Sequence, residues 1–357
     1  MTPQDSRQIE YLRVFSILAM MWVHVSPGIA TPSIVSGGQF ALVGLFLGDT
    51  LGRISVSLLS FVSGYLFWTR ARSLPFLTVA WRRFESILLP CLVWSAIYLI
   101  LAASKITFTG TVASVFTRTD TSPMDALNAW AGITGPTANL SLFFIRDLFV
   151  STLILRSLVP VLDRAPYPLI AAALLMGVLE DRLQPLIFRD SILQFVLLGA
   201  GMARLGVSLA ALSRPVIGIV GGNLLILAGY GLAEGMPAQG TLYPYLSLLL
   251  RRVGVCLLIL SLSATLMNAR GGNARPRLGR ATFLAFLLHM PLIGILWVLW
   301  QRFVGNEMDP SYLAFYLFTP FLALLAGYLL DSLLDAAPPT MQLALRGKVR
   351  VSRRRPD

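Results

Sequence analysis

The sequence predicts an all-α, polytopic integral membrane protein with about ten transmembrane helices and both termini in the cytoplasm. Three observations predict it. Hydrophobic residues make up 56% of the 357 and charged residues only 13%, with a mean hydropathy of +0.73, whereas a soluble domain holds about 45–50% apolar and about 25% charged residues. The apolar residues fall in runs long enough to cross about 30 Å of hydrocarbon, which takes about 20 helical residues. The basic residues collect on alternate connections, as the positive-inside bias requires.

Taken in order, the candidate spans lie near residues 11–31, 51–69, 85–104, 140–160, 167–180, 190–206, 213–233, 249–268, 281–302 and 312–334. The first run lacks an A-x-A-like cleavage site and is expected to be a retained helix, not a removed signal peptide. With the N-terminus inside, the cytoplasmic segments hold Arg7, Arg70, Arg72, Arg82, Arg83, Arg156, Arg164, Arg204, Arg214, Arg270, Arg275, Arg277, Arg280 and the tail from Arg346 to Arg355. That is about 19 of the 29 Lys and Arg residues, so topology accounts for the net charge of +12 without nucleic-acid binding. The polar stretch 105–139, rich in Thr, Ser, Gly and Asp, is expected to be an external loop with a short helix of its own. Residues 1–335 form the expected membrane domain and residues 336–357 a basic cytoplasmic tail resting near anionic headgroups. On that view Arg346 does not matter to binding of the donor. Arg251 and Arg252 fall inside or at the outer edge of the eighth span, and read first as a misplaced boundary and otherwise as a polar cavity wall. Cys91 and Cys256 sit in apolar runs and read as small packed hydrophobes.

The first span poses a specific question, because LRVFSILAMMWVHVSPG, residues 12–28, carries Arg13 at one end and His24 near the other. Eleven residues of helix rise about 16 Å and make close to three full turns. Both side chains therefore share one face, and Glu10 falls near the same stripe, three residues before Arg13, where it can orient the guanidinium. Ionisable groups inside a membrane are costly and usually line a cavity or pathway. Taken singly, Arg13 also reads as a side chain snorkelling to the headgroups, and His24 as an interhelical hydrogen-bonding group.

An Arg, ten residues and a His in the first span resembles the signature of acyltransferase family three, integral membrane O-acyltransferases that modify bacterial surface and secreted glycans. Four further stretches resemble the family in order. These are SVSLLSFVSGYLFW (55–68), RRFESILLPCLVWS (82–95), SLFFIRDLFV (141–150) and LGRATFLAFLLHMPLI (278–293). The resemblance runs from about residue 7 to about residue 300. Two positions depart from the pattern. The family often has a second Arg three residues after the first at the third helix, where Ser86 stands here beside Glu85, leaving Arg82 as the available substitute. It commonly has Trp-Phe where this chain has Phe143-Phe144.

The resemblance implies transfer of an acyl group, acetyl first, from an acyl-CoA to a hydroxyl of a glycan or lipid-linked oligosaccharide in the bacterial inner membrane. Acyl-CoA is then a substrate and no cofactor is permanently bound. A hydroxyl needs a base to become a good nucleophile, and His24 suits that role with an imidazole whose ordinary pKa is near 6.5. Arg13, Arg82 and Arg83 would meet the donor phosphates from the cytoplasmic side, since guanidinium forks match phosphate oxygens. His289 would tie helices together, orient His24 or meet the acceptor, the first being the expected role. Arg146 and Asp147 would form a local ion pair or touch the acceptor sugar. With no further catalytic domain visible, direct transfer within the membrane domain is expected. No metal-ligand spacing, phosphate loop or GxSxG elbow occurs, and the basic GGNARPRLGR (271–280) reads as a cytoplasmic connector. The competing reading is a proton-coupled transporter or flippase in which Arg13 grips an anion and His24 relays protons.

Overall fold

The computed structural model describes residues 3–25, 42–109, 122–179, 183–235, 242–269, 281–307 and 309–350. The connector 271–280, part of the external loop and the tail beyond residue 350 lie outside these. The described residues are helical with no strand among them, as the apolar periodicity requires. Each expected span overlaps a helix among the described residues, and residues 26–31 of the first and 180 of the fifth lie outside them. In chain order these are α1 (Pro3–His24), α2 (Gly44–Arg70), α3 (Phe76–Ala103), α4 (Pro123–Ala131), α5 (Phe143–Arg164), α6 (Pro166–Val178), α7 (Asp190–Arg204), α8 (Val216–Glu234), α9 (Leu242–Ala269), α10 (Thr282–Phe303), α11 (Tyr312–Ala336) and α12 (Pro339–Arg346). Among the described residues, six of them, α2, α3, α8, α9, α10 and α11, are long and apolar enough to cross a membrane by length and composition alone. The chain is a polytopic, all-α membrane protein.

The central position belongs to α1, which packs on α2, α9, α10 and α11. Its end is anchored by Val25, fully buried in a cluster with Ile293, Tyr312 and Tyr316, and by Trp22 against the ring of Phe321, 5.8 Å away. Lipid supplies no hydrophobic drive between helices, so close association depends on small residues that let backbones touch. Gly64 on α2 and Gly199 on α7 do this. A Cβ built on Gly64 would stand 1.9 Å from the Val196 carbonyl oxygen, and one on Gly199 1.9 Å from that of Phe61.

Two boundaries differ from expectation. The helix α9 runs from Leu242, not from near 249, and Pro244 is tolerated in its first turn, where the missing N–H would have had no intrahelical partner. Arg251 and Arg252 therefore sit inside the helix and not at its edge. Arg251 lies over the Tyr230 ring at 4.7 Å, and the Tyr230 hydroxyl meets Thr50 Oγ1 at 2.6 Å. The helix α1 likewise starts at Pro3, ahead of the expected residue 11. Its first two turns carry Asp5, Arg7 and Glu10, which mask the helix in a hydropathy reading. The short helix α4 in the external loop is set by a capping box between Ser122 and Asp125 and ends on Gly132 in the left-handed region.

Candidate active site

The structure brings the two histidines of the chain together. His24 ends α1 and His289 lies within α10, with ring centroids 5.2 Å apart and planes tilted by 52°. His289 is fully buried, and its Nδ1 bonds to the Phe286 carbonyl of its own helix. A carbonyl only accepts, so Nδ1 carries the proton and Nε2 is left as an acceptor. That Nε2 is buried without a hydrogen-bond partner. Pro291, two residues on, cannot donate to the turn below and loosens the helix at this point. Arg53 on α2 lies within electrostatic reach of His24 and is held by Asp49 at 3.1 Å.

Towards the other end of α1, Arg13 interacts electrostatically with Glu10 on its own helix and with Arg70 at the end of α2. Arg83 on α3 lies in the field of Arg13. Arg82, its neighbour in sequence, is exposed. Immediately after Arg83 the helix widens into a π-helical turn, Phe84–Leu88, and Pro90 follows, unable to donate to the preceding turn. Such widened turns re-aim side chains and recur at functional sites.

Arg146 and Asp147 form a local ion pair, Nη1 to Oδ1 at 2.8 Å. Both Nη atoms of Arg146 and both carboxylate oxygens of Asp147 have structural partners. Asp147, fully buried, accepts the backbone N–H groups of Phe188 and Arg189 at 3.0 and 2.9 Å. Arg146 donates to the carbonyls of Leu186 and Pro185, both at 2.7 Å, and to that of Ile133 at 3.1 Å. The pair ties the 183–189 connection to the start of α5.

The tail contributes groups that sequence reasoning missed. Arg346, in the tail expected to rest near headgroups, is only 2% exposed. Its Nη1 pairs with Asp335 at 2.7 Å and Asp331 at 3.4 Å, and Arg350 pairs with Asp331 at 2.6 Å. The acids at 331 and 335 lie one helical turn apart at the end of α11, and that i,i+4 spacing was the available signal. An apolar cavity of about 350 Å³ between α10 and α11, lined by Leu296, Phe303, Phe318 and Leu322 among others, carries no ionisable group and is separate from these clusters.

The fold and these groups define a membrane bundle with ionisable side chains in its interior, the mark of a catalytic or transport site and not of inert spans. A family profile described as "Acyltransferase domain" matches residues 6–331, and the chain belongs to that acyltransferase family. It is similar to a protein of Rhizobium meliloti named "Succinoglycan biosynthesis protein ExoH", with 27% identity over 351 residues, covering 96% of this chain and 92% of the relative. No solved structure matches the chain significantly.

Proposed function

We propose that this membrane acyltransferase moves an acyl group, acetyl first, from an acyl-CoA to a hydroxyl of a glycan or lipid-linked oligosaccharide during polysaccharide biosynthesis. The observation that carries this reading is the layout of α1, with a histidine pair at one end and clustered cations about 16 Å away along the same helix. Coenzyme A has the same layout, with phosphates at one end and the thioester at the end of its pantetheine arm. Arg13 and Arg83 would hold the phosphates at the cytoplasmic face of the inner membrane, and His24 would stand at the thioester. The similarity to a succinoglycan biosynthesis protein supports a glycan acceptor.

In the proposed reaction the acceptor hydroxyl gives its proton to the imidazole of His24 as its oxygen attacks the thioester carbonyl. The C–S bond breaks, an ester forms, and His24 returns the proton to the departing thiolate. His289, with Nδ1 committed to Phe286, offers Nε2 to orient His24. Arg146 and Asp147 stand outside the reaction.

The test is to incubate the purified protein in nanodiscs with radiolabelled acetyl-CoA and deacylated host polysaccharide or its lipid-linked precursor. Label should pass to the glycan only with wild-type protein, and much less with His24→Gln. Transfer by His24→Gln at the wild-type rate would overturn the base assignment.

A further inference from the structure

The folded-back tail reaches the same end of the bundle as Arg13 and Arg83. The helix α12 packs on α3, and the Trp94 indole donates to the Leu345 carbonyl at 3.0 Å. It stops at Gly347, whose φ of 68° suits glycine and bars a bulkier residue without strain. A Cβ at Gly347 would stand 2.1 Å from the Ser86 carbonyl oxygen, so the tail crosses α3 against the π-helical turn that follows Arg83. The next residue is Lys348.

Lys348 is held there by its own backbone. Its carbonyl accepts from Arg346 Nε at 3.3 Å, and the Arg350 N–H donates to Gln342 Oε1 at 2.8 Å. Gln342 also accepts from Arg346 Nη2. Asp331 and Asp335 are already engaged by Arg346 and Arg350, which fixes the turn to the end of α11. Lys348 as a whole residue is exposed, while its ammonium is partly desolvated and lies within the field of Arg13. Three elements distant in sequence therefore bring Arg13, Arg83 and Lys348 towards one place, where Glu10 and Asp331 are the acids within reach of Arg13 and Lys348 and a phosphate would still meet a surplus of positive charge.

We propose that Lys348 is a donor-binding residue, delivered by the tail to contact the phosphates of the acyl-CoA together with Arg13 and Arg83. The proposal rests on the acyl-CoA reading above. The Asp331–Arg346–Asp335 lock then has a purpose, because a lysine on a loose tail would lose rotational and chain entropy each time the donor bound. Its ammonium, pushed down to about 8 chiefly by desolvation and then by Arg350, Arg346 and Arg13 against the opposing pull of Asp331, would regain a full positive charge on meeting phosphate.

The experiment is calorimetric titration of the full chain in detergent with CoA, comparing wild type, Lys348→Met and Lys348→Arg, with thermal unfolding and co-purifying phospholipid measured on each. Lys348→Met should bind CoA about tenfold to a hundredfold more weakly, the range for a lost charge-assisted hydrogen bond, while Lys348→Arg stays near wild type. Wild-type affinity in Lys348→Met would overturn the proposal alone. Equal weakening in both variants would make the position one of shape and not charge, and would also overturn it. Unchanged CoA affinity with loss of bound anionic phospholipid from Lys348→Met would assign the lysine to a headgroup instead. A wild-type protein that does not bind CoA would overturn the donor reading and this proposal together.

Discussion

His24 and His289, separated by 264 intervening residues, stand with their ring centroids 5.2 Å apart, and Nδ1 of His289 is tied to its own helix, whereas His24 stands on the last residue of α1. This asymmetry separates their roles. His289 is a fixed buried ring, while His24 sits at the very end of α1, where a ring can meet a reacting group.

Replacing each histidine should therefore give different results. A positioned base contributes about 10²–10⁴-fold, so His24→Gln should lose most of the transfer rate while remaining folded and inserted. His289→Gln keeps an acceptor and should lose about tenfold or less, the value of one ordinary hydrogen bond, whereas His289→Leu should lose more. Initial rates on equal amounts of monodisperse protein decide this, and equal losses for the two Gln variants would remove the distinction. The wild-type rate should also fall towards acid pH, where a protonated imidazole cannot take the hydroxyl's proton.

Arg82 and Arg83 are neighbours in sequence but not in surroundings. Arg83 lies in the field of Arg13 and Arg82 is exposed. Arg83→Ala should weaken CoA binding about tenfold or more, and Arg82→Ala by little. Equal losses in a titration would return both residues to simple topology.

The titration of Lys348 has a sign that can be checked. Its ammonium is pushed down to about 8, below the ordinary value of 10.5, so between about 8 and 10.5 the unfolded chain holds more protons than the folded one. Stability without ligand then rises with pH in that window. Donor binding has the opposite sign, since phosphate prefers the ammonium. CoA affinity should fall as pH rises through about 8, and Lys348→Arg should lack that decline.

Arg346→Ala should destabilise the protein by about 3 kcal/mol, because among the described residues it leaves the buried Asp331 with Arg350 as its remaining ion-pair partner. Unfolding followed by tryptophan fluorescence would measure it. A melting temperature unchanged by this substitution would show the tail to be held by other contacts.

Gly199→Leu should be worse, since its Cβ alone would fall within 1.9 Å of the Phe61 carbonyl oxygen. Overpacking costs about 1–3 kcal/mol where neighbours can move, and here the obstacle is backbone. Loss of the monodisperse peak in size-exclusion chromatography is the expected outcome.

The apolar runs were legible because a membrane imposes a length and a composition on each helix, and among the described residues six of the resulting helices are long and apolar enough to span. Boundaries were less legible where polar residues share a helix with apolar ones. Arg7 and Glu10 hid the start of α1, and the Tyr-Pro-Tyr stretch hid that of α9. The spacing from Arg13 to His24 showed that one face of one helix mattered, since helical periodicity is local. It could not show what that face meets. His289, Arg83 and Lys348 arrive from remote segments through tertiary packing, which no local pattern encodes. The burial of Arg346 was not legible because a basic tail at a membrane reads as solvated, and its acidic partners sit ten or more residues upstream.

Because α1 is one unbroken helix from Pro3 to His24, it works as a ruler. Inserting a single residue between Arg13 and His24 would lengthen the interval by only about 1.5 Å but swing the imidazole about 100° away from His289. Four extra residues would roughly restore the angle and set the two stations about 6 Å further apart. Register along one rod thus fixes both the bearing of the histidine and the reach demanded of any molecule that touches both ends. A carrier arm of another length would meet the wrong end of the scale.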